Sequence, residues 1–123
     1  MSKKWKVIRK EDAEIRAGEG VEIVVAVSKE TVGSGVLWFG SFSTAAGVKV
    51  EPHYHTADTG MYLVSGRAAF EIEGERVEMS PGEYLYVPKN VVHTEETVGE
   101  QTAFGVYARD EAGGETVYLD AEA

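Results

Sequence analysis

The sequence predicts an all-β fold, because several short segments alternate between apolar and polar residues with a period of two. Phe70 and Ile72, for example, alternate with Glu71 and Glu73. Glycines recur between these segments, at the places where strands must turn. Residues 10–17 have a weakly helical pattern that is too short to decide. Many short strands in 123 residues favour a barrel or a double-sheet jelly roll.

The predicted strands have recognisable ends. One strand stops at Gly66, where a positive φ is easily adopted. Residues 70–79 predict a hairpin with its turn around Gly74. Segment 84–87 stops at Pro88, which has no backbone N–H to donate to a strand ladder. The remaining candidate strands are 21–27, 38–43, 102–108 and 116–119.

Composition predicts one globular domain over residues 1–123 and limits its chemistry. Hydrophobic residues make up 43% of the chain, enough for a packed core at this length. There are no cysteines, so disulfides, thiolate catalysis and zinc–thiolate sites are excluded. The formal net charge of −9 argues against nucleic acid as a partner, because nucleic-acid binding needs basic patches.

The expected location follows from the distribution of apolar residues. No run of about 18 apolar residues is present, so we expect no membrane association. The basic residues Lys3, Lys4 and Lys6 lead into Glu11 and Asp12 rather than into an apolar run, which does not match a secretory signal. We therefore expect a cytoplasmic protein.

Three histidines are present, and their positions predict a single metal site. His53 and His55 are two residues apart, so on a strand both side chains point to the same face. His93 follows 38 residues after His55. A third imidazole from a neighbouring strand completes a three-nitrogen site that keeps open positions for other ligands.

Two motifs with regular spacing surround these histidines. The first, 47–66, reads Gly47-(five residues)-His53-x-His55-(three residues)-Thr59-(six residues)-Gly66. The second, 82–97, reads Gly82-(five residues)-Pro88-x-Asn90-(two residues)-His93-(three residues)-Thr97. Together they are similar to the two motifs of the cupin family. The resemblance implies a double-stranded β-helix (jelly-roll) barrel that holds a metal with His53, His55 and His93.

Two positions depart from the family pattern. Thr59 stands where cupins usually have a glutamate, and Thr97 stands where asparagine is common. We do not expect Thr59 to be a direct ligand, so the usual carboxylate ligand is missing. Asp58, one residue earlier, is a candidate fourth ligand if the loop turns slightly differently. Alternatively, Asp58 bonds the N–H groups of its own turn.

The residues and the resemblance together indicate one divalent transition metal as cofactor. Neutral imidazole suits Fe(II), Cu, Ni and Zn, and Mn less well. Within the cupins, a three-histidine site resembles the iron sites of thiol and β-diketone dioxygenases, which favours Fe(II). Without a carboxylate ligand the metal is a stronger Lewis acid, suited to a bidentate anion such as an enolate or an α-hydroxy acid.

Other side chains near the motifs are candidates for supporting roles. Tyr62 and Tyr86 are the candidate catalytic residues, because a tyrosine hydroxyl can move a proton or hydrogen-bond a substrate. Glu95 and Glu96 follow His93 and are candidates to orient a ligand imidazole.

Three functions are compatible with these residues. The first is a dioxygenase-like enzyme that acts on a small metabolite, and the second is non-catalytic binding of a small ligand such as a sugar acid. The third is metal-dependent isomerisation of a sugar or uronate. A small molecule is the partner in all three, and the fold does not decide among them.

The start of the chain predicts a homodimer. Trp5, Val7 and Ile8 read as an apolar strand with no obvious place inside a small barrel. Pairing such a strand across a two-fold axis covers an exposed edge and buries the tryptophan.

Overall fold

The computed structural model describes residues 5–110 and 113–119 and has the all-β architecture that the sequence predicts. Within these residues, two short helical turns accompany eleven strands. The turns are a 3-10 helix (Lys10–Asp12) and α1 (Lys29–Val32). The strands are β1 (Glu14–Gly18), β2 (Val21–Val27), β3 (Trp38–Thr44), β4 (Lys49–His55), β5 (Thr59–Ser65), β6 (Ala68–Ile72), β7 (Glu75–Met79), β8 (Tyr84–Val87), β9 (His93–Thr97), β10 (Ala103–Arg109) and β11 (Thr116–Tyr118).

The strands form two antiparallel sheets. One sheet has six strands in the order β1-β2-β3-β10-β5-β8, and the other has five in the order β11-β4-β9-β6-β7. Strands far apart in the sequence are neighbours, as β3 and β10 are, which is the connectivity of a jelly roll. The predicted double-stranded β-helix is therefore confirmed. Among the described residues, no helix has the length and apolar character needed to cross a membrane.

The core lies between the two sheets, on the faces selected by alternation along each strand. In β3, Trp38 and Phe42 are buried, whereas Phe39 between them is exposed. Leu63 from β5 and Phe70 from β6 pack into the same cluster, and each is 1% exposed. Burying side chains of this size contributes about 1.5–3 kcal/mol each.

The β6–β7 hairpin forms as the sequence predicts. Its turn places both Glu73 (φ 51°) and Gly74 (φ 83°) in the left-handed region. Two successive positive φ values are the signature of a type I′ turn, whose twist matches that of the flanking strands. The outward side chains near this hairpin are charged and paired: Arg76 contacts Glu96 at 2.6 Å, and Arg67 contacts Glu78 at 2.8 Å.

The first part of the chain differs from the prediction. No strand forms over residues 5–9, so the expected apolar strand of Trp5, Val7 and Ile8 is not formed. The weakly helical segment 10–17 divides into one 3-10 turn and then β1, because β1 pairs along its whole length with β2. Long-range pairing thus overrides a weak local preference.

Gly66 lies where the backbone of residues 102 and 103 approaches too closely to leave room for a side chain. Its φ is 80°, and a Cβ there would lie 2.4 Å from the Thr102 carbonyl oxygen. Gly74 has nearly the same φ, but a Cβ there would have no heavy atom within 4 Å beyond its chain neighbours. We expect Gly74→Ala to cost roughly 1–2 kcal/mol for the left-handed backbone. Gly66→Ala should cost about 1–3 kcal/mol more, because backbone atoms must move.

Urea unfolding of the two variants measures this difference directly. Because both substitutions add one methyl group at a similar φ, the difference isolates the steric contact with Thr102. Equal losses of stability would contradict the close approach at Gly66.

Candidate metal centre

The three histidines meet where β4 pairs with β9. His53 lies directly opposite His93 in the ladder, and their ring centroids are 4.3 Å apart. The His55 ring lies 5.0 Å from that of His53 and 5.3 Å from that of His93. All three side chains are buried, and their ligand nitrogens lie within 4.8 Å of one another. The structure therefore brings the three predicted residues into one group that could hold a metal ion.

A bulge in β4 directs this group into the interior. Val50 pairs with Glu95 and His53 pairs with His93, so β4 has one residue more than β9 between these pairs. Pro52 lies in this stretch, where a residue without an N–H is tolerated. The extra residue shifts the alternation, and as a result Val50 and both β4 histidines line the same cavity.

Backbone carbonyls determine the tautomer of two of the rings. Nδ1 of His53 lies 2.8 Å from the Glu51 carbonyl oxygen, and Nδ1 of His93 lies 3.0 Å from that of Val91. A carbonyl oxygen can only accept, so Nδ1 carries the proton in each neutral ring. Nε2 of both rings therefore keeps its lone pair available for a metal.

Arg109 and Thr116 determine the tautomer of the third ring. Nη2 of Arg109 donates to Nε2 of His55 at 3.2 Å, so the proton of the neutral ring is on Nδ1. That Nδ1 donates to Thr116 Oγ1 at 2.9 Å. Nε of Arg109 also donates to Thr59 Oγ1 at 3.2 Å. A guanidinium thus lies beside the position where the resembled family usually has a carboxylate.

Burial keeps the imidazoles neutral. It lowers the pKa of His53 from 6.5 to about 4 and that of His55 to about 3, and it also lowers the pKa of His93. Lost hydration is the largest cause in each case, and the nearby Arg109 cation adds to it. Because only a neutral imidazole can bind a metal, the rings are ready to act as ligands at neutral pH.

The histidines form part of the wall of a cavity of about 570 Å³ between the sheets. This volume lies within the range of small-molecule sites. Trp38, Phe42 and Tyr107 contribute an aromatic wall, in which Trp38 Nε1 donates to the Tyr107 hydroxyl at 3.1 Å. Such a wall shields bound groups from water and strengthens electrostatic interactions inside the cavity.

The two glutamates after His93 face opposite sides of β9. Glu95 lines the cavity and accepts a hydrogen bond from Thr44 Oγ1 at 3.4 Å, while Glu96 points outward to Arg76. Neither bonds to a histidine ring, so the expected role in orienting an imidazole is not observed. Burial raises the pKa of Glu95 to about 7, because the charged carboxylate loses hydration.

Asp58 does not join the histidine group. Its Oδ1 accepts the backbone N–H of Lys89 at 2.9 Å, and its own N–H donates to Asp110 Oδ1 at 3.0 Å. The carboxylate therefore ties the loop after β4 to the loop after β8. This is a structural role like the turn-capping alternative, but with a partner 31 residues away.

Tyr62 and Tyr86 lie outside the cavity, contrary to the sequence prediction. Thr59 and Met61 of β5 line the cavity, so alternation turns Tyr62 to the outer face. There its ring packs on Tyr84 at 4.7 Å, and Tyr86 on the same outer surface is 63% exposed. Neither hydroxyl is placed to act on a ligand of the histidines.

Arg109 and Thr116 are the cavity residues that hydrogen-bond to His55, and the sequence analysis predicted neither of them. A signal for Arg109 exists, because it follows the aromatic Tyr107 by two residues and shares its face on β10. No local signal marks Thr116, whose contact with His55 spans 61 residues and depends on the pairing of β11 with β4.

Comparisons with known proteins agree with this architecture. A family model described as a cupin domain matches residues 41–106, more than half of the chain. A quercetin 2,3-dioxygenase of Bacillus subtilis (strain 168) is 30% identical over 78 residues, which are 63% of this chain and 23% of that protein. An acireductone dioxygenase of Bacillus cytotoxicus is 40% identical over 48 residues, which are 35% of this chain and 28% of that protein. The chain thus spans about a quarter of the length of these relatives.

A solved structure extends the likeness to nearly the whole chain. KdgF from Halomonas sp. superposes with a TM-score of 0.72, covering 86% of this chain and 94% of that chain. The two sequences are 18% identical, so this likeness concerns the fold alone.

The histidine group predicts a pH dependence for the metal-free protein. Between pH about 4.5 and 6.5 the unfolded histidines bind protons that the folded ones, with lowered pKa values, do not. The unfolded state then binds more protons, so the free energy of unfolding should rise with pH across this window. Glu95, with its raised pKa, contributes the opposite slope. Three histidines outweigh one carboxyl group, and the net slope should be positive.

Urea unfolding of the metal-free protein between pH about 5 and 7 measures this slope, above the range where most surface carboxylates titrate. Glu95→Gln removes the carboxyl group whose titration opposes that of the histidines, so the free energy of unfolding should rise more steeply with pH in this variant. A stability that is flat or falls as the pH rises would show that the histidines are not held neutral by burial.

Proposed function

This chain belongs to the cupin family, and from that premise we propose that it is a mononuclear metal-dependent enzyme acting on a small metabolite. The observation that carries the proposal is the convergence of three buried, neutral imidazoles on one cavity. Three ligands from the protein leave coordination positions for a substrate, which is typical of a catalytic rather than a structural site.

In this proposal His53, His55 and His93 hold one divalent ion through Nε2, with Fe(II) favoured. The hydrogen bonds of Nδ1 support it, because they fix the tautomer that presents Nε2 to the cavity. A bound Fe(II) supplies a Lewis acid with open positions for substrate and O₂. Asp58 and Thr59 are not part of the proposed ligand set, since each has another hydrogen-bond partner.

A dioxygenase-like reaction is the favoured chemistry. Both relatives reported above are dioxygenases by name, and a three-nitrogen site suits Fe(II). The aromatic wall of Trp38, Phe42 and Tyr107 can hold a planar substrate against the histidine group and exclude water from it.

Glu95 favours a second candidate, metal-dependent isomerisation of a sugar or uronate. Its carboxyl group lines the same cavity as the histidines, two residues along β9 from His93. A carboxyl group with a pKa near neutral can both accept and return a proton, which is what isomerisation requires.

Metal titration tests the proposed ligand set. We expect wild-type protein to bind one divalent ion, and His93→Ala to weaken binding by more than the roughly 10–100-fold that loss of an outer partner costs. Asp58→Asn is the matched control, and it should leave the affinity unchanged because Asp58 bonds the backbone of Lys89. Stoichiometric metal in His93→Ala would contradict the proposed site.

Substrate screening distinguishes the candidate functions. Fe(II)-loaded protein is incubated with diketones, thiols, catechols and sugar acids while O₂ uptake, product formation and thermal stability are followed. O₂ uptake with one of the first three classes is the expected result. Turnover without O₂ that is lost in Glu95→Gln supports isomerisation. Stabilisation by a ligand without any turnover would contradict an enzyme and indicate a binding protein.

We also propose that the protein is a homodimer. Trp5 and Val7 are 66% and 61% exposed, and Tyr84 and Tyr86 of β8 add to the exposed apolar surface of the six-stranded sheet. Burial of such surface is the usual reason for association. Solution scattering should give twice the mass of one chain, and a monomer at all concentrations would contradict it. Separate variants Val7→Ser and Tyr84→Ser show which surface forms the interface.

A further inference from the structure

The cavity has the opposite charge balance from the rest of the chain. The sequence has 21 acidic and 12 basic residues, so its net charge is strongly negative. The cavity, however, is lined by three basic residues, Arg16, Lys49 and Arg109, and by two acidic ones, Glu19 and Glu95. A basic cavity in an acidic protein attracts an anion and focuses it on the site.

Arg109 is the basic residue nearest the histidines. It lies half-buried at the end of β10, and two of its five N–H donors bond Thr59 Oγ1 and His55 Nε2. Within residues 5–110 and 113–119, no carboxylate lies at ion-pairing distance from its guanidinium. Glu95 acts on this partly buried cation only from a greater distance, so the cost of burying the charge is incompletely compensated, and an anionic ligand relieves that cost.

A metal would compete with Arg109 for one lone pair. Nε2 of His55 accepts the Nη2 hydrogen of Arg109, and a nitrogen lone pair cannot accept this bond and bind a metal together. Binding of a metal through Nε2 therefore releases an N–H donor beside the metal position. The released donor can bond an atom of a ligand that enters the cavity.

We infer that Arg109 is the anion anchor of this cavity, and that the ligand is a small carboxylate bonded by both the metal and the Arg109 guanidinium. The inference rests on the proposed metal site and extends it by naming the ligand class. Thr59 removes the carboxylate that the family usually contributes, and the ligand brings a carboxylate in its place. A guanidinium binds a carboxylate through parallel hydrogen bonds, which a neutral analogue cannot match.

Two matched ligands test the anchor. Glycolate and glycolamide have nearly the same size and can both chelate a metal, but only glycolate is charged. Each is titrated by calorimetry into Zn(II)-loaded protein, with wild type, Arg109→Gln and Arg109→Lys compared. Arg76→Gln is the control, because it makes the same change on the outer surface, where Arg76 pairs with Glu96.

Arg109→Gln should change the affinities for glycolate and for Zn(II) in opposite directions. Arg109→Gln should bind glycolate at least about tenfold more weakly, with glycolamide changed by less than about twofold. The same variant should bind Zn(II) alone roughly tenfold more tightly, because a nearby cation and a competing donor are both removed. The glycolate affinity of Arg109→Lys should lie between those of wild type and Arg109→Gln, since lysine keeps the positive charge but lacks the planar guanidinium group. Arg76→Gln should match wild type in both titrations.

The experiment distinguishes failure of the Arg109 anchor from failure of the proposed metal site. The anchor alone is overturned if wild-type protein binds Zn(II) but Arg109→Gln binds glycolate with unchanged affinity. It is also overturned if wild-type protein binds glycolate and glycolamide with equal affinity. If wild type binds no Zn(II), the proposed metal site fails, and the anchor is judged in the metal-free protein. There, glycolate but not glycolamide should shift the Nε–H resonance of Arg109, and the absence of that shift overturns it.

Discussion

The pairing of β4 with β9 is the interaction on which the site depends. It sets His53 opposite His93, and the bulge between Val50 and His53 directs both β4 histidines into the cavity. The backbone around the pair also supplies the carbonyl groups that hold Nδ1 protonated in two of the rings. One pairing thus controls position, direction and tautomer, and a shift of register by one residue would turn the histidines of β9 and β4 to opposite faces.

Electrostatics explains why these histidines are poised for a metal. Burial between the sheets lowers their pKa values, so they stay neutral at a pH where exposed histidines are partly charged. In place of the usual carboxylate, Thr59 is hydrogen-bonded to Arg109, and the local charge therefore becomes positive. If this group holds the proposed metal, the protein compensates the charge of that metal less than a site with a glutamate ligand would, and anionic ligands are favoured.

Several features could be predicted because they depend on local spacing. Alternation of period two placed His53 and His55 on one face, and the Glu73–Gly74 pair marked the hairpin turn that forms. Alternation does not say which face is inside, however, and for β5 that choice turned Tyr62 outward to Tyr84. For the Asp58 carboxylate the sequence offered two local roles, as a metal ligand or as a cap of its own turn, but in the structure it accepts a distant backbone N–H from Lys89 instead.

The sequence by itself determined the all-β class, the two motifs and the choice of the three histidines as metal-ligand candidates, because each depends on the spacing of residues close together in the chain. Only the tertiary structure decided that β1 replaces a weak helix, that Arg109 stands beside His55, and that Glu95 faces the cavity. The physical reason is distance along the chain. His55 and Arg109 are 54 residues apart, and their contact exists because two sheets pack face to face around a cavity.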